Sequence, residues 1–154
     1  MASAQFITPS NAAAVYVANH MREADRLEVA SLGVTPHRAI EISWNHSTTA
    51  HMVAVGGSPS ILFGVCPESV LTRKGIPWLL ATDGIELVSR RFLRECRGHL
   101  DAMFTSYDTL SNMVSVDNAV SIRWLEWMGF QFGAPVPAGI VGQMFYPFTM
   151  RSDH

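Results

Sequence analysis

At 154 residues the chain has the length of one domain, and with 48% of its residues apolar it can bury a core without disulfide or metal supports. Its formal net charge of −2 gives no basic excess, which argues against nucleic acid as the main partner. Two cysteines, Cys66 and Cys96, are too few for a disulfide framework and read as core-packed thiols of a reducing compartment.

The apolar run from Ala12 to Ala18 is too short to cross a membrane. No Lys or Arg precedes it, so it lacks the start of a signal peptide. It reads as a first helix over residues 11–20, capped by Ser10 or Asn11, and a cytosolic protein is expected. A charged helix follows over residues 22–32, closed by Gly33 in the left-handed conformation. Thr35 caps a third helix with Pro36 at its first position, running to about His46.

Three strand signals come next. The run Thr49 to Val55 ends at the turn pair Gly56-Gly57, and Ile61 to Val65 follows as its antiparallel partner. Trp78 to Ala81 is the third strand. Thr82 or Asp83 then caps a long helix over residues 85–106, with Leu93, Cys96, Leu100, Met103 and Phe104 at helical spacing and Arg90, Arg91, Arg94 and Arg97 mostly off that stripe. A strand over residues 110–116, a helix over residues 118–128 and strands over residues 131–136 and 143–148 complete the chain. The order, helices, then three strands, then helix–strand–helix–strand–strand, predicts a single α/β domain, residues 1–154, with a mixed central sheet flanked by helices. Residues 78–81 and 110–116 should be neighbouring, splayed strands of that sheet, joined by a right-handed crossover. The final helix should bury Ile122, Leu125 and Met128 and expose Arg123 and Glu126.

Within the final helix, Asn118, Ser121, Ile122, Trp124, Met128, Gly129 and Phe130 resemble the pattern of the GCN5-related N-acetyltransferases, and the order of elements resembles that fold. A closer likeness is carried by Tyr107-Asp108-Thr109-Leu110, Asn112, Val114, Val116, Asn118, Ser121-Ile122-Arg123 and Leu125, with Trp78, Thr82, Asp83 and Phe148-Thr149 in support. These resemble a small internal virion protein family of short-tailed phages, over Trp78 to Met150. The resemblance implies a phage product made in the host cytoplasm, with an acetyltransferase-like fold and a part in virion assembly.

The acetyltransferase resemblance implies acetyl-CoA or another acyl-CoA as cofactor. Leu79, Leu80 and Ala81 would give backbone contacts to its pantetheine arm, and Asn118 would lie on the cofactor side or simply cap the final helix. In place of the family's glycine-rich phosphate loop stands Ala81-Thr82-Asp83-Gly84-Ile85-Glu86-Leu87, where two carboxylates oppose phosphate. Ser89, Arg90 and Arg91 would bind phosphate if they formed a helix start; otherwise the arginines are a solvated face. The family's acid tyrosine is replaced by Leu125. Glu41 or Asp83 could serve as a base, against the plainer reading of an exposed helix carboxylate and a cap. His51 reads as a hydrogen-bonded core histidine rather than a catalytic one, Trp44, Trp124 and Trp127 read as core or interface rather than a substrate cage, and the histidines show no metal-ligand spacing. Two functions remain open: acyl transfer to an amine of a host protein or small molecule, and non-catalytic binding in virion assembly or to a host protein. Trp127 stands at a commonly polar position. It is expected either to join self-association or a phage or host partner, or to be covered by the loop at residues 133–137.

Overall fold

The computed structural model describes residues 3–69 and 71–152. A short strand β1 (Ala4–Ile7) leads into helices α1 (Asn11–Asn19), α2 (Glu23–Ser31) and α3 (Pro36–His46). Strands β2 (Thr49–Val55), β3 (Ser58–Pro67) and β4 (Lys74–Ala81) follow, then a 3-10 turn (Asp83–Leu87) and helix α4 (Arg90–Met103). The chain finishes with β5 (Thr109–Ser115), α5 (Ala119–Met128), β6 (Gln131–Phe132), β7 (Val136–Ala138) and β8 (Gln143–Arg151).

One sheet of order β1-β2-β3-β4-β5-β8-β6 runs through the described residues, with β7 also paired to β8. All pairs are antiparallel except β4 and β5, which pair in parallel only at Lys74–Thr109 and Gly75–Leu110 and then diverge. The expected splay is therefore present. One core layer packs α4 and α5 on one face through Phe63, Phe92, Cys96, Met103 and Phe148. The other packs α1, α2 and α3 on the opposite face through Val17, Val29, Ile40 and Leu62.

Local sequence chemistry sets most boundaries. Ser10 caps α1 by accepting from Ala13 N, and Thr35 caps α3 with Pro36 at its start. Gly129, at φ 103°, ends α5 in the left-handed conformation. Four expectations change. The edge strand β1 lacked a sequence signal. The expected strand over residues 131–136 is two short pieces, broken where Gly133 N bonds Pro147 O at 2.9 Å. Helix α5 has no fully buried residue: Ile122, Leu125 and Met128 are half-buried against the core, while Arg123 and Glu126 are exposed as expected.

The fourth change bears on the site. The long helix does not start at Ile85, and Asp83 does not cap it. Thr82 caps only the 3-10 turn, which Ile85 pins into the core. Val88 then leaves helical geometry, and Ser89 caps α4 by accepting from Phe92 N. A second serine-type cap after the buried Ile85 outcompetes one continuous helix.

Candidate binding cleft

Beyond Gly75 and Leu110, β4 and β5 share no backbone pairing. Thr82 N donates to Ser60 O at 2.8 Å. By the alternation of an antiparallel ladder, Leu80 and Trp78 therefore pair with β3, while Ala81, Leu79 and Pro77 aim their backbone groups at β5. Side chains bridge this gap at both ends. Near the vertex, Asn112 Nδ2 donates to Pro77 O at 2.8 Å.

At the open end the bridge comes from α2. Asp25 Oδ2 accepts from Ala81 N at 2.9 Å, and Arg22 N donates to Ala81 O at 2.9 Å. Glu28 Oε1 accepts from Ser115 N, the end of β5, at 2.8 Å. Asn118 links the two: its Nδ2 donates to Glu28 Oε1 at 2.9 Å and to Asp25 Oδ1 at 3.4 Å. Arg22 Nη1 donates to Asp25 Oδ1 at 2.8 Å and to Asn118 Oδ1 at 3.0 Å. These side chains replace the strand pairing that the splay forfeits.

Two carboxyls share one guanidinium here. Burial pushes the Asp25 carboxyl up, against the pull of Arg22. Burial also pushes the Glu28 carboxyl up, against its hydrogen bonds from Asn118 and Ser115.

Between the two bridges lies a cavity of about 320 Å³. Its walls are mainly apolar, with Leu79, Phe92, Met103, Trp124 and Leu125 among them, and Glu28, Asn112 and Asn118 supply polar edges. It is small among ligand pockets, which run from about 300 to 1,000 Å³.

The proposed site residues fall in different places. Leu79 lines the cavity with its backbone groups toward the gap, Leu80 pairs with β3, and the Ala81 backbone is engaged by α2. Asn118 does cap α5, accepting from Ser121 N at 3.4 Å, and is buried in the α2 network. Ser89, Arg90 and Arg91 form the start of α4, with both arginines exposed and Arg91 4.0 Å from Glu95. Asp83 is exposed on the 3-10 turn. Glu41 is exposed, pairs with Arg38, and lies in a separate groove between α1 and α3. Leu125 lines the cavity where a tyrosine acid would stand. His51 sits against His99 and Phe6, with ring centroids 4.4 and 5.9 Å away, outside the cleft; burial and then His99 lower its pKa. Trp127 is half-buried, with the Arg97 guanidinium over its ring, 4.1 Å from the centroid.

Sequence reasoning missed Arg22, Asp25 and Glu28. Their signal was spacing: three charges at intervals of three share one helix face, on a helix whose leucines fall elsewhere.

An acyl-CoA does not fit this end of the cleft. The last gap-facing amide of β4 is occupied by Asp25, and the strand ends are tied across the path between them. The turn beyond carries the exposed acids Asp83 and Glu86. Among the described residues no cluster of three or more His, Cys, Asp or Glu could hold a metal ion, and no helix is long and apolar enough to cross a membrane.

The fold resembles solved acetyltransferases along nearly its whole length. Spermidine N-acetyltransferase from Vibrio cholerae, solved with CoA and spermine, matches at TM-score 0.64 and 14% identity, over 96% of this chain and 95% of that one. Ribosomal-protein-S5-alanine acetyltransferase from Vibrio fischeri matches at 0.65 and 13%, over 97% and 93%. The protein yncA from Salmonella typhimurium, solved with its cofactor acetyl-CoA, matches at 0.66 and 14%, over 99% and 95%. The chain thus has the fold of the GCN5-related N-acetyltransferases; at such identity the likeness speaks for the fold alone. No curated protein sequence matches it. The family described as bacteriophage T7, probable scaffold protein Gp13, matches residues 45–135, more than half of the chain, and the protein belongs to that family.

Proposed function

We propose that the protein is a non-catalytic member of its phage family, using an acetyltransferase-type scaffold for binding in virion assembly or to a host protein, in the host cytoplasm and in the particle. The observation that carries this reading is the side-chain bridge from α2, Asp25 to Ala81 N and Glu28 to Ser115 N, across the open end of the cleft. Opening it would carry Arg22 and Asp25 away from Asn118 and Ala81 together and leave the Ala81 and Ser115 amides without their acceptors, at about 1–3 kcal/mol for each group left unsatisfied. Leu125 in the cleft wall agrees, since it has no proton to give.

A second reading, transfer of an acyl group from an acyl-CoA to an amine of a host protein or small molecule, is favoured by one observation. Ser89 caps α4 with Arg90 and Arg91 in its first turn, a cationic helix start of the kind that holds phosphate. Calorimetric titration separates the two. The non-catalytic reading expects no saturable heat with acetyl-CoA up to millimolar concentration, and no acyl transfer to polyamine or lysine acceptors. Saturable binding that weakens in Arg91→Glu would favour the second.

A further inference from the structure

The bridge between the strand ends leaves the cavity itself unexplained. Its floor is made by buried side chains of the α4 layer, Phe92, Cys96 and Met103. Its mouth is marked by the liners that remain exposed, Leu32 at 64% and Met113 at 42%. The opening therefore lies on the α2 side of the sheet, between the end of α2, β5 and Ala138 of β7. Beside it the β7–β8 turn exposes Ile140 and Val141, at 74% and 76%. That turn is held in place: Ile140 N donates to Ser31 O at 2.7 Å. Gly139, at φ 77°, passes so close that a Cβ would lie 2.6 Å from Ser31 O. The apolar rim is thus a fixed extension of an apolar hole.

One polar feature breaks that lining. Glu28 lines the cavity, and its two hydrogen bonds from the chain both go to Oε1. No hydrogen bond given by the described residues reaches Oε2, which leaves an acceptor for a donor from outside.

We propose that the cleft is an anchor pocket for a partner polypeptide, receiving an aromatic side chain that ends in a hydrogen-bond donor, as tryptophan and tyrosine do. The proposal rests on the non-catalytic reading above and names its partner class. The apolar floor takes the ring, and the Glu28 carboxyl takes the N–H or O–H. Fatty acids and phosphate-bearing ligands bring further acceptor oxygens to a place where Glu28 Oε2 already lacks a donor. A hydrocarbon leaves the Glu28 acceptor without a donor. A small molecule confined to the cavity leaves Leu32, Ile140 and Val141 uncovered, whereas a polypeptide continuing past its anchor covers them.

The test titrates the full chain with N-acetyl-tryptophanamide and N-acetyl-phenylalaninamide and follows methyl and amide resonances. The tryptophan amide should shift Leu32, Met113 and Ala138 saturably and bind about tenfold more tightly than the phenylalanine amide, the margin of one hydrogen bond to a carboxylate. Ala138→Phe should fill the mouth and abolish both. Leu32→Asp, at a site too exposed to threaten folding, should weaken both. Glu28→Gln, which sets a donor in place of an acceptor, should erase the preference between them. Scattered shifts that do not saturate, equal affinity for the two amides, or binding unchanged in Leu32→Asp would overturn the pocket. Acetyl-CoA in the same titration keeps the two claims apart: shifts at Ala81 and Ser115 with it would overturn the non-catalytic reading, while silence with both acetyl-CoA and the tryptophan amide would overturn the anchor pocket alone.

Discussion

Helix α4 turns Phe92, Cys96 and Met103 into the core and Arg90, Arg91, Arg94 and Arg97 to solvent. Helix α2, on the other face of the same sheet, also buries Val29, but it turns Asp25 inward at 2% exposure and leaves Leu27 at 55%, with Leu32 at its C-terminal cap 64% exposed. The first obeys apolar periodicity. The second is placed by what its carboxylates meet, the unpaired ends of β4 and β5. A splayed sheet creates backbone groups that must be satisfied. In this chain a charged helix face satisfies them.

The contrast breaks first at Asp25. Asp25→Ala leaves Arg22 buried without its partner and Ala81 N without its acceptor. It should cost about 3–5 kcal/mol in urea denaturation, and a cost near zero would mean that the network is ornamental. On the other layer, Leu125→Ala removes a side chain only half-buried, so its loss should sit near the low end of the usual range, about 2 kcal/mol. Leu27→Lys should change stability by no more than about 0.5 kcal/mol, because that leucine faces solvent. A substantial loss there would show that α2 is packed the other way round.

Proton linkage sharpens the same comparison. Asp25 and Glu28 have carboxyl pKa values above their unfolded values. The folded state therefore holds their protons more tightly. The stability this supplies is greatest below the ordinary carboxylate range and is lost as pH rises through the elevated values. Glu28→Gln should flatten part of that decline in a series of melts, and an unchanged slope would remove Glu28 from the account. The smallest effect concerns α4. Burial, with Glu95 adding to it, pushes the Cys96 thiol up to about 12, so in the native protein Cys96 should resist thiol reagents at about pH 8 and react freely once unfolded. Rapid native labelling of Cys96 would mean either that this layer opens or that the reagent reaches the cavity floor, and the two separate if Ala138→Phe at the cavity mouth slows it.

Much of this architecture was legible because local rules agreed with tertiary ones. The caps at Ser10 and Thr35, the glycine ends of α2 and α5, and the Gly56-Gly57 hairpin all fall where turn and cap chemistry puts them. The parallel pair followed from the strand–helix–strand order. The family resemblance, carried by residues 78–150, meets a family match that begins earlier, at residue 45. What escaped depends on contacts between segments far apart in sequence. The start of α4 shifted because buried Ile85 holds a separate turn. The cleft network joins residue 22 to residue 118, and no window of sequence contains both. Trp127 could be read as an unusual indole, but its cover, Arg97, lies one helix away.

The most direct measurement follows the backbone amides of Ala81 and Ser115 by NMR while acetyl-CoA is added. The account predicts slow hydrogen exchange at both, because Asp25 and Glu28 hold them, and no change in either resonance at millimolar cofactor. Saturable shifts at these two amides on adding acetyl-CoA would contradict it, since they would mean that α2 yields the cleft to the cofactor.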